Sequence, residues 1–308
     1  MQNSELAIAI PTYNRSEILK ENLLYMIVEL KKFNIPVYIS DDSPNDDTRT
    51  MVNELKRTYE YIYYSKNIPA LGHDENCFAT LNLPEAAYIW YLGDSMIIES
   101  GGISSIVKIL FNENYDFIIT NCKKRALVLN SALYKNKNDV FNELAWHLTL
   151  SGCCIYKKEI IEKFNKISNY KNFPQTSIIL ATISEHCNLF YSNEVVVYSN
   201  KNKNFSYWQK NVFDVFGKDW FDFISCIHKL PSNNFYKSKV IKSHSKNAGT
   251  FGLKALLNYR ILGFFNINIL FKYAKYIRAA SHINFFIALL ISVLPRKFLK
   301  KLKSVVVD

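Results

Sequence analysis

Two sets of acids stand directly after apolar runs, and their placement is the first chemistry this chain offers. Residues 88–92, YIWYL, stop at Gly93 and deliver Asp94; residues 37–40, VYIS, run in the same way into Asp41 and Asp42. Open α/β sheets place their ligand crevice beyond the carboxyl ends of buried strands, so an acid there is a site candidate. An ordinary strand-to-turn junction with a solvated Asp would look the same locally. The surrounding elements have to decide between the two readings.

Those elements alternate. Residues 6–10, LAIAI, make a continuous apolar run, as expected of a strand buried on both faces, and end at Pro11-Thr12-Tyr13-Asn14-Arg15. Asn14 is placed to cap the next helix. Leu19, Leu23, Met26 or Ile27, and Leu30 recur at helical spacing and predict an amphipathic helix over 16–33. A strand at 37–40, a helix near 47–59 and a strand at 61–65 follow. Strand, helix, strand, helix, strand imply a parallel sheet with right-handed crossovers. After a loop at 66–76 and a short helix come the strand at 88–92, a helix at 102–112 and a strand at 116–120. In a parallel sheet the acids at 41–42 and at 94 open on one edge and can face one ligand.

Composition narrows the class. A chain of 308 residues, 49% hydrophobic and with 20 Tyr and 21 Phe, can bury a sizeable core as one large domain or as one plus an appendage. Six scattered cysteines without a CxxC pair suit reduced core thiols better than a disulfide framework or a zinc site. The start, MQNSELAIAI, has neither the positive region nor the long apolar run of a secretory signal. Charge is divided unevenly: residues 1–222 carry a net −3, whereas residues 223–308 hold 15 Lys and Arg against the single acid Asp308. Such asymmetry calls for an acidic partner at that end, either membrane phospholipid or nucleic acid.

Four motifs in order, AIPTYNR at 9–15, SDDS at 40–43, KNxxxxGxxxN at 66–76 and WYLGD at 90–94, resemble the family 2 glycosyltransferases. The match covers roughly the first 120 residues, and the WYLGD phrasing resembles the enzymes that build bacterial O-antigen and capsule polysaccharides. The resemblance implies the GT-A fold, an α/β architecture around a mostly parallel sheet, in a domain over residues 1–210. Residues 1–120 would form its nucleotide-sugar half and 121–210 its acceptor half, with a helical basic region over 211–308. It further implies that Pro11, Thr12 and Tyr13 line the base of a nucleotide-sugar donor, with a UDP-sugar expected. Asp42 would accept from base or ribose, and Asn67 and Asn76 would shape the pocket floor, though either Asn could equally be a turn or cap residue. Arg15 would lie near the phosphates or on the helix surface, Asp41 would hold its turn, and Asp94 and Ser95 would face the diphosphate.

In the family the position of Asp94 opens an Asp-x-Asp motif whose last carboxylate holds Mn²⁺ or Mg²⁺ on the diphosphate. Here that last position is Met96, and a thioether is a poor ligand for a hard cation. Either Asp94 holds the ion alone, or Glu99 reaches in, or basic residues stand in for the metal. Inverting transfer needs a base for the acceptor hydroxyl. Where relatives carry an acid near the start of a helix in 173–187, this chain has Gln175, which leaves Glu185, His186 and His147 as candidates.

The C-terminal region reads as helical, aromatic and cationic. Residues 283–294, INFFIALLISVL, are too few to span a bilayer of ~30 Å as a helix. Followed by Pro295-Arg296-Lys297-Phe298-Leu299-Lys300-Lys301-Leu302-Lys303, they suit an element lying on an anionic leaflet, or else a helical hairpin packed on the first domain with its basic face in water. Their apolar density is too high for a nucleic-acid surface. These readings converge on an inverting transferase at the cytoplasmic face of the membrane, peripherally bound, with a lipid-linked oligosaccharide as acceptor. The alternative is a nucleotide-binding scaffold of the same fold that has lost its metal site and catalyses nothing.

Overall fold

The most apolar run of the first third becomes the centre of the sheet. In the computed structural model, which describes residues 2–123, 125, 127–164, 171–203, 207–227 and 233–300, β1 (Leu6–Thr12) lies between β2 (Val37–Asp41) and β4 (Tyr88–Tyr91), parallel to both. With a neighbour on each side and both faces covered, its Leu6, Ala7, Ile8, Ala9 and Ile10 are fully buried, which is why no polar residue alternates among them. β3 (Ile62–Lys66) extends the sheet beyond β2. The chain therefore runs outward from β1 to β3 and then returns to the other flank of β1 at β4. That reversal of strand order is the switch point, the place where open α/β sheets put their ligand crevice, at the carboxyl ends of β1, β2 and β4.

The remaining strands are β5 (Met96–Ile98), β6 (Phe117–Cys122), β7 (Ala132–Tyr134), β8 (Cys154–Lys157) and β9 (Leu189–Ser199). The sheet order is β3-β2-β1-β4-β8-β6-β9-β5, with β7 on β9. β8 runs antiparallel to both β4 and β6, so β6 points the same way as β4. The short β5 pairs with the end of β9, Met96 opposite Ser199. Trp90, fully buried, donates its indole N–H to the Gly152 carbonyl at 2.8 Å and ties β4 to the segment leading into β8. Gly152 has φ +118°, and a Cβ there would press on Leu92 and Met96 at 3.3–3.5 Å, so that crossing needs glycine.

The helices of this unit are α1 (Ser16–Phe33), α2 (Asp47–Lys56), α3 (His73–Asn82), α4 (Gly102–Asn112), the single turn α5 (Lys137–Asp139), α6 (Lys158–Lys163) and α7 (Pro174–Ile183). α1 turns Leu19, Leu23, Met26 and Leu30 inward, as its spacing predicts. Its cap differs from the expectation. Asn14 adopts a left-handed conformation, φ 52°, with its N–H donating to Ser43 Oγ at 2.8 Å, and Arg15 takes the N-cap position. Asn tolerates that backbone region better than other side chains do, so here it bends the chain rather than capping the helix.

Two compact units emerge, residues 1–140 with 147–204, and residues 141–146 with 205–308. The second contains α8 (Trp220–Cys226), α9 (Asn234–Ala248), α10 (Leu253–Leu262), α11 (Ile267–Lys272), α12 (Ala274–Ala280) and α13 (Phe285–Val293). Phe213 organises its core, stacking on Phe265 with ring centroids 5.4 Å apart and meeting Tyr259 edge-on. α13 buries Ala288, Ile291 and Ser292 but leaves Phe286, Ile287, Leu290 and Val293 exposed. Among the described residues no helix is long and apolar enough to cross a membrane. Lys301, Leu302 and Lys303 lie outside the described residues.

The centre of the sheet should be the least tolerant part of the first unit. Ile8→Ala removes three carbons from a fully buried site on β1, and should cost about 2–5 kcal/mol. Urea unfolding should show a lower midpoint with an unchanged slope.

Candidate functional site

At the end of β2 the chain presents two buried carboxylates, each with its own set of donors. Asp41 accepts the Ser43 N–H at 2.9 Å, an Asx turn, and the Tyr64 hydroxyl at 2.9 Å. Asp42 accepts Asn67 Nδ2 at 2.7 Å and Leu71 N–H at 3.2 Å on one oxygen, and Gly72 N–H at 2.7 Å on the other. Two backbone donors thus fold the loop after β3 over the end of β2. Asn67 also donates to Ser40 Oγ and to Asn76 Oδ1, each at 3.1 Å, and the Ser40 hydroxyl donates to the same Asn76 oxygen at 2.6 Å. A carboxylate offers about four acceptor positions, and three of those on Asp42 are filled.

The second cluster surrounds Asp94, 7% exposed just past β4. Arg15 Nη1 donates to its Oδ1 at 2.8 Å, and the Thr12 hydroxyl donates to Oδ2 at 3.3 Å. Asn22, 1% exposed, donates its Nδ2 to the Asp94 carbonyl at 2.8 Å. The Asp42 N–H donates to the Thr12 carbonyl at 3.0 Å, joining the two clusters into one edge. Pro11 is partly exposed and Tyr13 is 57% exposed on the same junction. Ser95 is buried and accepts the Asn200 N–H on its carbonyl at 2.8 Å.

Sequence reasoning passed over two members of this edge. Asn22 falls on the apolar face of α1 between Leu19 and Leu23, and a polar side chain at a core-facing position is a signal that could have found it. Lys203 lies in the turn after β9, in an Asn- and Lys-rich stretch with no periodic pattern to single it out. Asn200 Nδ2 donates to Asn22 Oδ1 at 2.7 Å and to Glu21 Oε2 at 3.0 Å, and Asn202 donates to both oxygens of Glu21. This turn is thereby strapped to the start of α1, with Lys203 half-buried beside Arg15 and Asp94. Burial first, then the Arg15 charge, push the Lys203 pKa down, and Asp94 pulls it back.

The three candidate bases are not brought to this edge as accessible groups. His186 donates Nδ1–H to Asp116 Oδ2 at 2.9 Å, and Glu185 is exposed next to it. Asp116 precedes β6, where Phe117 is level with Tyr156 and so with Ile89. Asp116 therefore stands level with the start of β4, about 15–20 Å along the strand direction from Asp94, at the amino edge. His147 is fully buried with Nε2–H donating to the Thr120 carbonyl at 2.9 Å. Gln175, in the first turn of α7, is 3% exposed with Nε2 donating to the Thr149 carbonyl at 3.4 Å.

The residues at Asp94 do not fit the two-carboxylate metal set. Met96 is 3% exposed, and its sulfur accepts the Ser199 hydroxyl at 3.4 Å. Glu99 stands beyond the far end of β5, paired with Lys123 at 2.6 Å. Both Asp94 oxygens already accept a bond, and among the described residues no group of three His, Cys, Asp or Glu side chains could hold an ion.

The sequence model of the family described as "Glycosyl transferase family 2" matches residues 7–167, more than half of the chain. This protein belongs to glycosyl transferase family 2. Among its relatives, the abequosyltransferase RfbV of Salmonella typhimurium is 38% identical over 91 residues, 29% of this chain and 27% of that protein. A Campylobacter jejuni protein named GalNAc(5)-diNAcBac-PP-undecaprenol beta-1,3-glucosyltransferase is 22% identical over 213 residues, 69% of this chain and 64% of its own. The matches thus span less than two thirds of each relative's length. S. aureus TarS 1–349 in complex with UDP-GlcNAc superposes with a TM-score of 0.59 at 15% identity, covering 89% of this chain and 82% of TarS 1–349. The mannosyltransferase PcManGT from Pyrobaculum calidifontis, in complex with GDP-Man and Mn²⁺, gives 0.55 at 13% identity, covering 91% and 86%. These likenesses establish the GT-A fold for this family 2 member, with its helical C-terminal region.

Burial, and secondarily the Arg125 charge, lower the His147 pKa from 6.5 to about 3. The unfolded chain therefore binds the extra proton between about pH 3 and 6.5, so stability is complete above that window and falls as pH drops through it. The slope is at most ~1.4 kcal/mol per pH unit. His147→Gln, which keeps a donor for the Thr120 carbonyl, should flatten the decline of Tm between pH 6.5 and 4.

Proposed function

We propose that this family 2 glycosyltransferase moves a sugar, with inversion, from a nucleotide sugar onto a lipid-linked oligosaccharide in the assembly of a bacterial surface polysaccharide. The observation that carries the reading is the convergence of Thr12, Arg15, Asp42, Asn67, Asn76 and Asp94 at the carboxyl edge of β1, β2 and β4. One end of that edge offers a carboxylate and amides suited to a base and ribose. The other offers cationic side chains suited to a diphosphate. Pro11 and Tyr13 supply the partly exposed surface between, and Ser95 continues the wall past Asp94. In the reaction the acceptor oxygen bonds to the anomeric carbon and loses its proton as the bond from that carbon to the diphosphate breaks. Stabilising the departing diphosphate is the part of the chemistry that Arg15 is placed to perform.

The name of the Campylobacter relative supports an acceptor carried on PP-undecaprenol, and the TarS complex favours UDP as the carrier nucleotide. We place the catalytic domain at residues 1–210 and a membrane-facing region at 211–308. Phe286, Ile287, Leu290 and Val293 recur at helical spacing on the exposed side of α13, with Phe298 and Lys300 exposed shortly after. An apolar stripe flanked by cations suits an anionic leaflet and would hold the enzyme at the cytoplasmic face, where a lipid-linked acceptor is confined.

A second reading has one specific observation behind it. Met96 and Gln175 occupy the positions where the family pattern places acids, which favours a nucleotide-binding scaffold without turnover.

Thermal shift with UDP, GDP, CDP and dTDP tests the donor site. One nucleotide at a hundred times its Kd should stabilise the protein by ~2.7 kcal/mol, and Asp42→Ala should weaken it. No response to any of the four would remove the donor reading, and binding without transfer or donor hydrolysis would select the scaffold. For the membrane arm, co-sedimentation with vesicles containing phosphatidylglycerol should exceed that with phosphatidylcholine alone. It should drop severalfold in the double variant Phe286→Asp, Leu290→Asp. Equal binding by variant and parent would reject α13 as the contact.

A further inference from the structure

We infer that the diphosphate of the donor is held by Arg15 and Lys203 without a bridging divalent cation, and that Asp94 serves as the counter-ion that aims Arg15. The inference rests on the donor-site reading above and deepens it. Three observations lead to it, each about a different element.

The first concerns Asp94. A carboxylate that binds a hard cation must offer oxygen lone pairs in the direction of the ion. Here Oδ1 accepts Arg15 at 2.8 Å and Oδ2 accepts Thr12 at 3.3 Å. An incoming cation would have to share this carboxylate with a guanidinium 2.8 Å away and meet its charge at close range.

The second concerns position 96. Its thioether is not a surface side chain that water or another ligand could bypass. Met96 is 3% exposed, accepts the Ser199 hydroxyl, and lies against Gly93 and Gly152 where a Cβ on either would come within 3.5 Å of it. The space in which a second carboxylate would stand is filled with core.

The third concerns charge. Lys203 is anchored in the turn that Asn200 and Asn202 strap to Glu21 and Asn22. The Lys203 N–H donates to the Asn200 carbonyl at 3.3 Å, and the Asn22 amide in turn donates to the Asp94 carbonyl at 2.8 Å. Lys203, Arg15 and Asp94 together carry a net charge of +1, and the nearby Glu21 carboxylate is occupied by the two asparagines. A diphosphate needs local positive charge, and it is offered here by Arg15, held on Asp94, and by Lys203, carried on the strapped turn. Arg offers a planar fork and Lys a mobile point charge, a combination that serves the two phosphate groups separately.

In the transfer step the electron pair of the breaking anomeric C–O bond passes to the diphosphate oxygen. The acceptor oxygen replaces it on the anomeric carbon, and its proton passes to solvent or to a base. Arg15 and Lys203 donate N–H bonds to the oxygens on which that charge collects. No oxidant, reductant or further reactant enters.

Calorimetric titration of the full chain with UDP, GDP, CDP and dTDP, in EDTA and again in excess Mn²⁺, tests this. The nucleotide that binds should show the same affinity within about twofold in both buffers. Lys203→Ala should weaken that diphosphate roughly tenfold or more while leaving the affinity for the corresponding nucleoside unchanged, and Lys203→Arg should restore most of the loss. A merely structural role would weaken nucleoside and diphosphate alike. A gain of tenfold or more on adding Mn²⁺ to the parent protein would overturn the metal-free arrangement and leave the donor site standing. An unaltered diphosphate affinity in a folded Lys203→Ala protein would overturn the role of Lys203. Absence of nucleotide binding in both buffers would remove the donor site and this inference together.

Discussion

A carboxylate cannot be left at 7% exposure without compensation, because an ionised group taken out of water must find charge and hydrogen bonds inside. Asp94 meets that requirement from two elements at once: Thr12 ends β1, and Arg15 caps α1. A third tie, from Asn22 in the second turn of α1, fixes the Asp94 backbone. The order of strands in the first half of the sheet, the entry angle of α1 and the sharp turn at Asn14 all serve to bring these groups together. Thr12 is also the residue that joins the Asp94 cluster to Asp42 through its carbonyl. The geometry at one acid is thereby transmitted to the whole edge.

The methionine at position 96 and the lysine near Asp94 are connected through one strand pair. Met96 opens β5 and pairs with Ser199, the last residue of β9. The chain leaves β9 through Asn200 and reaches Lys203 three residues later, held by the asparagine straps on α1. A buried thioether keeps this strand pair dry, whereas a carboxylate there would draw in water or an ion. The apolar choice at 96 and the cationic choice at 203 are consistent with each other. Each would be harder to explain alone.

Much of this was legible in the sequence, and the reasons are local. Residues 6–10, 37–40 and 88–92 are buried strands whose continuous apolar character has no other simple reading, and the acids that follow them do lie on one edge. What could not be read was the order and direction of the strands in the second half of the sheet. Glu185 and His186 sit at the end of a helix that sequence places plausibly beside a site. Only the antiparallel insertion of β8 between β4 and β6 shows that they belong to the amino edge. His147 lies in a segment without regular structure, where burial follows from packing by distant residues. Asn14 was misread because a cap and a left-handed turn use the same residue type for different reasons. β5 is three residues long and had no periodicity to detect.

Charge is placed differently in the two parts of the chain, as the two contacts proposed above would require. Residues 1–222 carry a net −3, so their overall field does not draw in an anionic nucleotide. Attraction there has to come from a few cations at short range, in a partly buried setting where screening by salt is weak. Arg15 and Lys203 meet that condition. Residues 223–308 follow the opposite logic, with 15 cations and one acid in the sequence, and the described helices of this region expose Phe271, Phe286, Leu290 and Phe298. Distributed positive charge acts collectively on an extended anionic surface and loses most of its reach beyond ~8–10 Å at physiological salt. It therefore confers little selectivity on its own, and the apolar stripe of α13 is what would turn a loose attraction into a defined contact.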